Sequence, residues 1–77
     1  MLTKHAKLDI LRDLESFIYQ VAYYLLNDEK PAVEASKQTV MEVLNDDHFF
    51  QLDHSARINF IRKVTIYQSL HVHFENK

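Results

Sequence analysis

Between Lys7 and Leu26 the apolar residues Ile10, Leu14, Phe17, Val21 and Tyr24 recur at steps of four and three, and Leu11, Ile18, Ala22 and Leu25 widen the stripe. That spacing gathers apolar side chains on one side of a 3.6-residue helix, so a long first helix with a broad buried face is predicted. Asn27-Asp28-Glu29-Lys30-Pro31 interrupts the pattern. Pro31 suits the first turn of a new helix, where its missing N–H has no intrahelical partner to lose. A second helix is therefore placed over about Pro31 to Leu44. Its apolar face is thinner, made of Ala32, Ala35, Val40, Val43 and Leu44, while Glu34, Lys37, Gln38 and Glu42 point largely elsewhere.

Asn45-Asp46-Asp47 supplies capping side chains, and His48-Phe49-Phe50-Gln51-Leu52 is read as a short helical turn that puts its aromatic mass either into the core or onto the surface. Asp53 or Ser55 then caps a last long helix from Ala56 to about Phe74. On it, Phe60, Val64, Tyr67, His71 and Phe74 form one row at steps of four and three, flanked by Ile61 and Leu70, and this row is the expected buried face. No repeat, low-complexity tract or linker divides the chain. The predicted fold is all-α, a compact bundle of three main helices plus one short helix, and residues 1–77 are read as a single helical domain.

Composition narrows the chemistry. Glycine is absent and Pro31 is the only proline, so no position offers the cheap positive φ that hairpin turns and phosphate-cradling loops need. Dinucleotide and Walker-type loops are excluded on the same ground. With no cysteine, neither disulfides nor thiolate metal sites can brace the domain, and a cytoplasmic protein of bacterial type fits best. No apolar run approaches the roughly 20 residues that cross a bilayer, and Met1-Leu2-Thr3-Lys4-His5 lacks the apolar centre of a signal peptide, so no membrane role is expected. A chain of 77 residues buries only about 60% of its unfolded surface, which makes support from a partner or a second copy unsurprising. The net charge of −2 is unevenly spread: residues 28–53 carry seven acids against two bases, and residues 54–77 four bases against one acid.

No catalytic group, cofactor or metal is expected. His48 and His54 lie near Asp46, Asp47 and Asp53, and His71 stands two residues from His73. Helical positions two apart point about 200° away from each other, whereas a helical zinc pair uses residues four apart. His71 is expected as a partly buried ring in the last helix's apolar row, with a pH response open to it because histidine titrates near neutrality. Ser36, Ser55 and Ser69 occur without a surrounding His or acid motif, so they read as capping or surface residues. Aromatic residues interleaved with cations suggest base stacking beside phosphate contact, for which Phe49, Phe50, Arg57, Arg62, Lys63 and Tyr67 are the relevant set. Most of these aromatics fall at core spacing, and a net negative chain lacks the basic footprint of an independent DNA binder.

The order of residues resembles the second conserved region of bacterial extracytoplasmic-function sigma factors, members of the sigma-70 family. Ile18-Tyr19-Gln20-Val21-Ala22-Tyr23-Tyr24-Leu25-Leu26-Asn27-Asp28 is similar to that family's first helix. Ala32 to Leu44 lies over its second, and Phe60-Ile61-Arg62-Lys63-Val64-Thr65-Ile66-Tyr67-Gln68-Ser69-Leu70 over its third. The resemblance spans about residues 14–74 and is one of helix order and apolar positions more than of signature residues. It implies a transcription protein that docks on RNA polymerase core, chiefly the β′ subunit, through the exposed part of the second helix: Glu34, Lys37, Gln38 and Met41. Glu34 keeps the family's acid, while Lys37 stands where the family has glutamine. On the last helix the family's arginine and asparagine fall at Ile66 and Tyr67, and a later acid and base near His71 and Phe74, which removes polar surface used at the promoter. Arg57, Arg62 and Lys63 are the implied phosphate contacts should promoter DNA be bound.

The chain reaches Lys77 without a helix-turn-helix module, which fits a piece of a longer sigma factor, a stand-alone half that works with a separate partner protein, or a diverged relative that kept the fold for another interaction; Met1 and the charged Glu75-Asn76-Lys77 finish slightly favour a complete short protein. A second class of function stands beside docking: a small regulatory helical module that self-associates, as a homodimer, through apolar surface left over on the first helix and burying Tyr23, Tyr24 or Phe49.

Overall fold

The computed structural model describes residues 3–75. Three helices follow one another, α1 (Lys4–Leu26), α2 (Glu29–Leu44) and α3 (His54–Glu75), with a 3-10 turn over Phe49–Gln51 before α3. The all-α bundle expected from the periodicity is present, and no strand occurs among the described residues.

Each boundary has a local cause. Thr3 caps α1, its hydroxyl accepting from the Ala6 N–H at 3.1 Å, which starts the helix three residues earlier than the apolar pattern does. Asn27 ends α1 in the left-handed region at φ 52°, with its N–H donating to the Tyr23 carbonyl. The glycine-free chain thus does contain a positive φ, because asparagine is the side chain that best tolerates it. Asp28 precedes α2, and Pro31 sits third in that helix, still within the four N–H groups that need no intrahelical acceptor. Asp46 Oδ1 accepts from the backbone N–H of His48 and Phe49 and shapes the 3-10 turn. Asp53 caps α3 by accepting from the Ala56 N–H at 2.8 Å.

The helices run up, down and up. Leu11 and Leu14 of α1 share a cluster with Val43 near the end of α2 and Ile61 near the start of α3, together with Ile18, Phe49, Phe50 and Val64. At the opposite end Ala22 meets Ala32 and Ala35 of α2 and Val72 of α3. One end of the bundle is therefore filled by large side chains, and the other by alanines that let the backbones approach closely. Both aromatics of the 3-10 turn go inward: Phe49 is fully buried, edge-on to Phe50 at 4.9 Å between centroids and 5.6 Å from Phe60.

The buried row of α3 differs from the expected one. Ile61, Val64, Thr65, Gln68, Ser69 and Val72 face inward, while Tyr67, Leu70, His71 and Phe74 are exposed. Thr65 and Ser69 are small enough to sit fully buried in a closely packed interior where Tyr67 or Phe74 would overfill. Thr65 Oγ1 donates to the Ile61 carbonyl at 2.7 Å, and Gln68 Nε2 donates to Glu42 Oε1 at 2.8 Å, which satisfies two of the polar groups placed inside. On α2, Thr39 is buried in the same manner, its hydroxyl bonded to the Ala35 carbonyl. On α1 the centre of the buried face is Leu11, Leu14, Ile18 and Ala22, and Tyr24 is exposed.

Candidate docking interface

The solvent side of α2 presents Glu34, Lys37, Gln38 and Met41, all exposed. Steps of three, four and seven residues along a helix place them within about 100° of arc, so they form one continuous strip. None of the four side chains makes a hydrogen bond or ion pair among the described residues, and Met41 is 59% exposed. The strip separates two grooves. Toward α1, Lys37 and Met41 line a mostly apolar groove with Tyr19, Val33 and Val40. Toward α3, Glu34 and Gln38 line a polar one with Glu42, Tyr67 and His71. Val33 and Tyr19 belong to this surface although the sequence reading did not single them out; a valine one step off the buried face of α2 was the available signal.

The three candidate phosphate contacts do not come together. Arg57 Nη2 donates to the Phe50 carbonyl at 2.8 Å, and its guanidinium lies 5.8 Å from the Phe49 ring centroid, so this side chain ties the 3-10 turn to α3. Arg62 is exposed on the α1 side, over the Phe17 ring at 5.7 Å. Lys63 is exposed one residue further on, about 100° around the helix.

The acids near the 3-10 turn are occupied locally. Asp46 and Asp53 act as caps, and Asp47 pairs with Lys7 at 2.9 Å. Among the described residues no group of three His, Asp or Glu side chains is arranged to hold a metal ion. His71 is exposed rather than partly buried; its ring stacks on Tyr67 and its Nε2 lies 3.0 Å from Glu75 Oε1. Phe49, a candidate dimer contact, is sealed inside the core and reaches no partner, whereas Tyr23 and Tyr24 are exposed. Loss of solvent around the Tyr19 ring raises its hydroxyl pKa, and the nearby Glu29 carboxylate and Tyr23 add to the rise. Ser36 donates to the Ala32 carbonyl, and Ser69 is buried.

Fold and surface together define a three-helix bundle with an uncommitted charged strip on its middle helix. No family model, curated protein or solved structure matches the chain. None of its described helices is long and apolar enough to cross a membrane.

Proposed function

We propose that this chain is a non-catalytic transcription protein of the sigma-region-2 type, docking on the β′ subunit of RNA polymerase core through the exposed strip of α2. The observation that supports this role is the exposure of Glu34, Lys37, Gln38 and Met41: four side chains of mixed character, on one face, with no side-chain hydrogen bond or ion pair among the described residues to break before binding. Opposed charges three residues apart suit a partner helix carrying the reverse pattern, and Met41 beside the Tyr19/Val33/Val40 groove adds apolar area that a polar rim alone lacks. Arg57 is engaged with the 3-10 turn, and Arg62 and Lys63 lie on different sides of α3, so DNA contact is left out of the proposal.

A photo-reactive amino acid in place of Met41 tests the docking face. Irradiated with RNA polymerase core, it should join the chain to β′, while the same group in place of Leu70 on α3 should not. Equal labelling from both positions, or none from Met41, removes the assignment.

A further inference from the structure

The second half of α3 carries its apolar weight on the outside. Its inward positions are Thr65, Gln68, Ser69 and Val72, with Ser69 Oγ buried and unpaired among the described residues, and its outward positions are Ile66, Tyr67, Leu70 and Phe74. An isolated helix packed on one side is normally the reverse of this. The outward residues are 37%, 63%, 50% and 67% exposed, and Tyr24, which shares the α1/α3 groove with Ile66, is 85% exposed. At about 200 Å² for a full side chain of this size, the five leave roughly 600 Å² uncovered. That is the upper end for the largest apolar patch of a monomer and approaches the ~800 Å² each partner contributes to a standard interface.

We propose that this face of α3 pairs with the same face of a second copy, the two α3 helices crossing antiparallel at Leu70. The row is built symmetrically about that residue: Ile66 lies four before it and Phe74 four after. A two-fold axis through Leu70 sets each Leu70 on its counterpart and each Ile66 against a Phe74, a β-branched side chain opposite a large flat one, which is the self-complementarity an isologous interface requires. Parallel pairing would instead set Phe74 on Phe74 and Ile66 on Ile66, without that match of sizes. Tyr67 also lines the groove beside Glu34 and Gln38, while Met41 lies on the α1 side of the strip, so the pair meets the α2 strip only along its α3 edge.

A chain without cysteine allows a direct test with the purified protein alone. Sedimentation from micromolar to millimolar concentration should show a monomer–dimer equilibrium. Under mild oxidation Leu70→Cys should give an interchain disulfide, as should a mixture of Ile66→Cys with Phe74→Cys, while Met41→Cys should remain largely unlinked. Leu70→Asp should move the equilibrium toward monomer by at least tenfold with an unchanged helical circular dichroism spectrum. A monomer throughout the range overturns the pairing, as does a dimer in which Leu70→Cys links no faster than Met41→Cys. Because polymerase is absent, failure here leaves the α2 docking role standing, and loss of docking leaves the pair standing.

Discussion

Replacing Phe49 by alanine should be the most damaging single change in this protein. The side chain is fully buried where the 3-10 turn meets α3, in contact range of Phe50 and Phe60 and under the Arg57 guanidinium. Truncating a buried phenylalanine costs about 3–5 kcal/mol, the sum of lost transfer energy and an incompletely collapsed cavity. At roughly 0.05–0.15 kcal/mol per residue, a chain of 77 residues has about 4–12 kcal/mol in total, so this one change removes between a quarter and all of it. With a midpoint shift of about 4–8 °C per kcal/mol for a domain of this size, thermal unfolding followed at 222 nm should move down by at least about 12 °C. Met41→Ala, on the exposed strip, should move it by under about 4 °C, since surface changes stay within about 0.5 kcal/mol. A loss below about 1.5 kcal/mol for Phe49→Ala in urea titration would show that the aromatic turn is not a centre of the core.

Arg57→Ala should cost about 1.5–3 kcal/mol, the range for a hydrogen bond involving a charged group, and should raise amide exchange at the 3-10 turn; lysine should not restore it, because its point charge cannot span the Phe50 carbonyl and the Phe49 face together. Glu42→Ala should cost about 1–2 kcal/mol by leaving the buried Gln68 amide without its acceptor, read as a lower urea midpoint at unchanged slope. Tyr19 should ionise at higher pH in the native protein than in the urea-unfolded chain, read as the difference between alkaline absorbance titrations of the protein and its Tyr19→Phe variant. Its folded hydroxyl is raised above the unfolded value near 10, so the stability it contributes is fully present below that pH and is lost as pH rises through the folded value. A Tyr19 hydroxyl that ionises no later in the folded protein than in the unfolded chain would contradict this environment.

Helix number, order and the α2 strip were legible in the sequence because they depend on local spacing and on the break around Asn27 to Pro31. Thr3 extended α1 outward from the apolar pattern, since a cap acts beyond the last apolar position and leaves no trace in periodicity; α2 begins two residues before Pro31 with no side-chain cap bond from Asp28. The burial of Phe49 and Phe50 was left undecided by spacing, because a three-residue turn has no repeating face to count. The buried face of α3 was misread for a related reason: the helix has usable apolar rows on two sides, and the choice between them depends on how closely the other helices approach, which spacing along α3 does not record. Arg57 looked like a free cation in sequence because its acceptor, a backbone carbonyl seven residues earlier, carries no side-chain signature.

Docking through α2 is tested most directly by capture of purified RNA polymerase core on the immobilised chain, beside a Glu34→Lys/Lys37→Glu variant that keeps the net charge. Binding by the unaltered chain, lost by at least tenfold in the folded variant, is the predicted result. Absence of binding by a folded, monodisperse chain, or equal binding by the variant, would contradict the role given to the α2 strip.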